Sequence, residues 1–105
     1  MVKQVLTKAG FIEGKTFKEI RFLKPPKSTY AVYLDDFVSR GADGLNLIKE
    51  HDYTIELYSS YRDLEAEKNI ENAFNELGIE FNKKIYYLDT EQLYQIVYEF
   101  EYIEK

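Results

Sequence analysis

The single histidine, His51, stands between Glu50 and Asp52. A histidine beside carboxylates is a pattern for a general base or a metal ligand. Here the spacing works against both. His51–Ser59 alternates apolar and polar residues as a strand does, and neighbours along a strand project to opposite faces. His51 and Asp52 therefore cannot share one metal, and the pair Asp35-Asp36 fails for the same reason. Asp43, within Arg40–Gly44, could take a cation, but it has the position of a turn aspartate that accepts its own backbone N–H. Gly41 and Gly44 lack the Lys-Ser/Thr and the following helix of a phosphate loop. No Ser or Thr can be argued into reach of a histidine base, so nucleophilic hydrolysis is unsupported. The sequence predicts no catalytic residue, no metal site and no cofactor; the expectation is a protein that is not an enzyme.

The elements that position these residues start from the end of the chain. In Leu93–Ile103, Tyr94, Ile96, Tyr98, Phe100 and Tyr102 fall on one side of a period-two pattern, with Gln95, Val97, Glu99 and Glu101 on the other. That is a strand with one buried face. Ile79–Leu88 precedes it, with Ile79, Phe81, Ile85 and Tyr87 as its apolar side. Matching the two apolar sides requires an even-length loop within Leu88–Gln92, and a slip of one residue would drive Glu99 and Glu101 into the core. The register then places Lys84 near Val97 and Glu99, for an ion pair worth roughly 0.2–1 kcal/mol. Lys83 falls on the inner face, with its amine expected to reach water at the rim.

Upstream, Ser60–Leu77 reads as the strongest helix. Ser60 and Asp63 resemble a capping box, and acidic residues Asp63, Glu65 and Glu67 suit the positive end of the dipole. Ala66, Ile70, Ala73, Phe74 and Leu77 form its apolar stripe, and Gly78 stops it. Val2–Ala9 is a second, short amphipathic helix ending at Gly10. Phe11–Leu23 has no clean period and holds an irregular strand or a loop, and Pro25-Pro26 then blocks helix. Tyr30–Phe37 and His51–Ser59 form a hairpin with its turn at Ser39–Gly44. In the first arm Tyr30, Val32 and Leu34 share one face and Ala31, Tyr33 and Asp35 the other. In the second, Tyr53, Ile55 and Leu57 point inward and Thr54, Glu56 and Tyr58 outward. The predicted fold is α+β in α-β-β-α-β-β order: one domain over residues 1–105, an antiparallel sheet of about four strands, and helices packed on one face.

Composition fits this. The chain has 105 residues, 45% hydrophobic and 31% charged, enough for one modest core and too apolar for disorder. It has no cysteine, which excludes disulfides and thiol chemistry and fits an intracellular or assembly protein. No apolar run approaches the roughly 20 residues of a membrane span, and no signal peptide is legible. A net charge of -5 argues against a phosphate-binding surface. Lys15, Lys18, Arg21, Lys24 and Lys27 read as a solvated basic loop balancing an acidic body.

The remaining signal is aromatic: 10 Tyr and 7 Phe, more than one small core can bury. Tyr33, Tyr58, Tyr86 and Val97 are expected on the sheet face opposite the helices. Such a face suits stacking of nucleic-acid bases or a protein interface, and the acidic charge disfavours the first. The distal hairpin, about Phe37–Ile48, is expected to project beyond the sheet and contact another subunit. These considerations point to oligomerisation.

Pro25-Pro26 with Tyr30-Ala31-Val32-Tyr33, then Gly41-Ala42-Asp43-Gly44 and Ile55-Glu56-Leu57-Tyr58, resembles the small tail-completion proteins of long-tailed phages and prophages of Gram-positive bacteria. The second half agrees, with Glu65 to Glu71 in the helix, Gly78-Ile79-x-Phe81 and Leu93-Tyr94-Gln95-Ile96-x-Tyr98-Glu99-Phe100. The likeness covers about Pro25–Glu101, and Phe11–Lys24 lies outside it. The resemblance implies a structural virion protein, a tail terminator or head–tail joining protein. Its partners would be itself, as a hexameric ring on the assembled tail, the tail-tube protein and the head connector. It would read no nucleic-acid sequence and bind no membrane, and it would reside in the virion and, during assembly, in the host cytoplasm. Its assembly interface would draw on Tyr33, Phe37, Val38, Arg40, Asp43, Leu45, Leu47, Tyr58 and Tyr86. DNA passes through such a ring, and an acidic lumen of Asp35, Asp36, Asp43 and Glu50 would repel phosphates rather than trap them. The competing expectation is a small α+β ligand-binding or regulatory domain, with a metabolite pocket between helix and sheet.

Overall fold

The structure, a computed structural model, describes the backbone of residues 1–40 and 48–104, and the side chains of residues 1–36 and 50–103. Helix α1 spans Val2–Lys8 and α2 spans Leu64–Glu76. Five strands follow in chain order: β1 (Phe17–Glu19), β2 (Tyr30–Arg40), β3 (Ile48–Ser59), β4 (Asn82–Leu88) and β5 (Leu93–Glu104). They form one mixed sheet in the order β1-β2-β3-β5-β4. The fold class is thus α+β as expected, but the all-antiparallel sheet of four strands needs correction. Within the aperiodic stretch Phe11–Leu23, β1 adds a fifth strand parallel to β2. Its position is held by Ala31 N–H donating to the Thr16 carbonyl at 2.8 Å and Ile20 N–H donating to the Tyr33 carbonyl at 2.9 Å.

One core lies between the helices and the inner sheet face. Val2, Val5 and Leu6 of α1 and Ile70, Ala73 and Phe74 of α2 pack with Phe17, Ala31, Tyr33, Tyr53, Ile55, Leu57, Ile96, Tyr98 and Phe100 of the sheet. Phe74 is its hub, with ring centroids 5.8 Å from Tyr98, 5.0 Å from Phe100 and 4.6 Å from Phe81. Each such buried side chain contributes about 1.5–3 kcal/mol through removal of apolar surface from water. Both helices are too short to stand alone and depend on this packing.

Both helices end where glycine permits a left-handed residue. Gly10 has φ +96° and Gly78 has φ +68°. At each, the next amide reaches back to close the last turn: Phe11 N–H to the Leu6 carbonyl, and Ile79 N–H to the Phe74 carbonyl. The start of α2 departs from expectation. Asp63, not Ser60, is the N-cap, accepting from the Ala66 N–H at 3.1 Å. Ser60 is still leaving β3, while Thr29 donates to the Asp63 carboxylate at 2.6 Å and holds it in place.

The β4–β5 hairpin has the expected register. Leu88 faces Leu93 across a loop of residues 89–92, Lys84 faces Val97, and the Lys84 amine is 3.6 Å from Glu99. Three details differ. Residues 79–81 precede β4 rather than belonging to it. Ile85 and Tyr87 have the inner-face phase of the pattern but are exposed, because β4 is a sheet edge. Lys83, expected to reach water, instead binds Glu67 at 2.8 Å and Glu71 at 2.6 Å.

Candidate assembly interface

The helices occupy one face of the sheet and leave the other free of helix. That outer face carries an aromatic corner. Tyr30 and Tyr58, opposite each other on β2 and β3, stack with centroids 5.3 Å apart. Phe22 meets Tyr30 edge-on at 5.6 Å, so the basic segment after β1 folds over this corner. The Tyr58 hydroxyl donates to Glu56 at 3.1 Å and accepts from the Gln95 amide at 2.8 Å. Burial pushes the Tyr58 hydroxyl up to about 12, and the Gln95 hydrogen bond offsets part of that rise.

The second feature is a row of carboxylates. Asp36 on β2 faces Asp52 on β3, which faces Glu101 on β5. All three are exposed. Like charges directly opposite one another across strands are destabilising, so this row lowers stability to concentrate negative charge on one face. Glu50 lies one step further along the same side, opposite Ile103.

The third is the long hairpin. β2 and β3 stay paired to Arg40 and Ile48, and β5 runs beside β3 as far as Lys49 and Glu104. The hairpin predicted to project alone is therefore joined by β5 for most of its length. Ser39 and Arg40, expected in the turn, instead continue β2 and pair with Lys49 and Ile48; the rest of the expected turn, with Asp43, and Leu45 and Leu47 lie outside the described residues. So do the side chains of Phe37, Val38 and Arg40.

The other predicted residues divide. Tyr58 lies on the outer face, half-buried, and Tyr86 lies on the outer side of edge strand β4, exposed. Tyr33 does not lie there. It is 6% exposed, faces Ile55 on β3 and packs on Phe17 at 6.2 Å. The parallel strand β1 supplies that inner neighbour, so β2 turns its Ala31/Tyr33 side to the core. Asp35 shares this inner phase: its carboxylate is 2.8 Å from Nδ1 of His51, which stacks on Tyr53 with centroids 4.9 Å apart. Asp35 and Asp36 therefore serve opposite faces. Sequence reasoning weighed His51 only against its chain neighbours, and rejected them; it did not suggest Asp35, two positions off the cross-strand partner Phe37. Asp52 and Glu101 were also missed as members of one row; the β2–β3–β5 register was the signal that could have joined them.

A cleft of about 660 Å³ lies beyond the start of β4, between residues 78–82 and the last part of β5. Phe81, Phe100 and Tyr102 line it with the carboxylates of Glu80, Glu99 and Glu101. Among the described residues, no group of three or more His, Cys, Asp or Glu is placed to hold a metal ion, and no helix is long and apolar enough to cross a membrane. No protein-family model matches the chain, and no curated protein matches it.

Proposed function

We propose that this chain is a structural virion protein of a long-tailed phage or prophage, which caps the tail tube and joins tail to head as a closed ring of identical subunits. It acts by shape and charge and not by catalysis. The motif resemblance between Pro25 and Glu101 suggests the role. The observation that carries it is the acidic row Asp36–Asp52–Glu101 on a helix-free sheet face. In a ring through which DNA passes, a face of this kind repels phosphates and keeps the passage slippery. Asp36 and Glu50 keep the lumen role, Asp52 and Glu101 join them, and Asp35 leaves it because it is bound to His51. A ring closes through two different patches on each subunit. The Phe22–Tyr30–Tyr58 corner and the long hairpin supply two, facing a neighbouring copy, the tail-tube protein or the head connector.

The experiment is charge reversal of the row, Asp36→Lys with Asp52→Lys and Glu101→Lys, in a phage carrying this gene. The expected result is virions with joined heads and tails that deliver DNA poorly. Unaltered delivery overturns the lumen assignment, and failure of the purified protein to bind assembled tail tubes overturns the role.

The edge cleft favours a second reading, a small ligand-binding or regulatory domain. Its site is not the expected layer between helix and sheet, which Phe74, Tyr98 and Phe100 fill, but the open notch beside β5. That reading requires ligand-dependent melting.

A further inference from the structure

Strand β4 is an edge of the sheet, and it carries three consecutive exposed large apolar residues: Ile85 at 48%, Tyr86 at 46% and Tyr87 at 48%. Exposed edge strands are templates for further pairing, and lysines commonly guard them. Here one candidate guard, Lys83, is drawn back onto its own chain, and the other, Lys84, stays exposed on the outer face beside a carboxylate that offsets its charge. The Lys83 amine lies between Glu67 and Glu71, at 2.8 and 2.6 Å. The Lys84 amine leans toward Glu99 on β5, at 3.6 Å. What faces outward along the edge is backbone, aromatic rings and the lysine stems.

From this we infer that β4 pairs with β4 of a second copy, antiparallel, about a two-fold axis at Ile85, to make one continuous sheet across a dimer. The residue order is complementary to itself in this register. Ile85 faces Ile85 of the second copy, Lys84 faces Tyr86, Lys83 faces Tyr87 and Asn82 faces Leu88. Each lysine stem is set against an aromatic ring of the second copy, a contact of apolar surface, and no like charges are opposed. Inner-face residues meet inner-face residues, so both helical layers stay on the same side. The neighbouring registers that keep the faces aligned pair fewer residues, and one of them sets Lys84 against Lys84.

Such a contact is isologous. It differs in kind from the two-patch contact a ring requires, and it stands whether or not the chain caps a tail. A dimer formed this way leaves the acidic row and the long hairpin uncovered.

The test uses the absence of cysteine from the natural chain. In Ile85→Cys, the two thiols meet on the axis, with Cα atoms about 4.5–5.5 Å apart, within disulfide reach. In Asn82→Cys, the two thiols lie on the order of 20 Å apart along the ladder. With oxidised glutathione as the oxidant, Ile85→Cys is expected to give a covalent dimer and Asn82→Cys to remain monomeric. Sedimentation equilibrium of the natural protein is expected to show a monomer–dimer equilibrium, abolished by Ile85→Glu with the melting temperature of the monomer unchanged. Equal crosslinking of both cysteine variants, a natural protein that stays monomeric at millimolar concentration, or an Ile85→Glu variant that self-associates as before overturns the inference. A monomer that still binds tail tubes would overturn this contact and leave the proposed function standing.

Discussion

The amine of Lys83 lies 2.8 Å from Oε1 of Glu67, across the space between edge strand β4 and helix α2. Glu67 is only 2% exposed, and Arg62 grips it from the other side with two hydrogen bonds of 3.0 Å. Glu71, one turn later on α2, binds the same lysine and accepts from the Tyr98 hydroxyl at 2.8 Å. This network fastens the open side of the helix to the last two strands.

Removing the shared carboxylate should therefore cost more than a surface ion pair. Glu67→Ala leaves Arg62 and Lys83 facing each other, but both are partly exposed and regain water, so the expected loss is about 1–3 kcal/mol. Replacing Glu67 and Lys83 together by Met should cost less than Glu67→Ala alone. Urea unfolding of the three proteins measures this.

The same group sets an acid limit. Burial pushes the Glu67 carboxyl up, but hydrogen bonds and charge from Arg62 and Lys83 outweigh burial and leave it below its ordinary value of 4.5. A carboxyl depressed in the folded state contributes stability that is fully present above 4.5 and lost as pH falls below it. Stability of the natural protein should drop through this range more steeply than that of Glu67→Gln, as read by denaturation at a series of acid pH values.

At the alkaline end Tyr58 acts with the opposite sign. Its folded value of about 12 lies above the ordinary 10.0, so the folded state holds a proton the unfolded state releases. Stability is intact below 10.0 and falls as pH rises from there toward 12. Ultraviolet titration should show a late-ionising phenol that is missing in Tyr58→Phe.

Ile20 has φ 70° and is 62% exposed. A β-branched residue in that region is strained, by about 1–3 kcal/mol. Ile20→Gly should relieve the strain while losing little packing, and raise stability by about 1 kcal/mol net of the glycine's entropy. A melting temperature at or below that of the natural protein would show that Ile20 is held by contacts worth more than the strain.

Tyr98 separates packing from hydrogen bonding. It is fully buried, and burial, with Glu71 as acceptor, raises its hydroxyl well above the ordinary range. Tyr98→Phe removes a hydrogen bond to a carboxylate and should lose about 1.5–3 kcal/mol, whereas Phe74→Ala, beneath the same ring, should lose about 3–5 kcal/mol. Thermal unfolding of both variants checks the ratio.

Much of this architecture could be read along the chain, because it follows from local periods. Tyr94 to Tyr102 and Phe81 to Tyr87 have opposite parity, and only an even loop aligns them, so the β4–β5 register and the Lys84–Glu99 pair were legible. Gly10 and Gly78 marked helix ends because a positive φ is cheap only for glycine. The apolar stripe of α2 was equally plain.

Other features depend on contacts between distant segments, for which no local period exists. β1 is three residues long, too short to show alternation, and pairs with residues fourteen positions later. Both sides of β2 are apolar, so its phase waited on Phe17, and Tyr33 went to the core. Ser60 and Asp63 can each cap a helix; Thr29 selects Asp63 from across the fold. Glu67 looked like a dipole-complementing surface acid until Arg62 and Lys83 closed over it. The pairing of Asp35 with His51 and the alignment of Asp36, Asp52 and Glu101 arise only when three strands lie side by side. Periodicity tells a residue which way to face within its own element, while its neighbours are chosen by chain closure, whose partners are far apart in sequence.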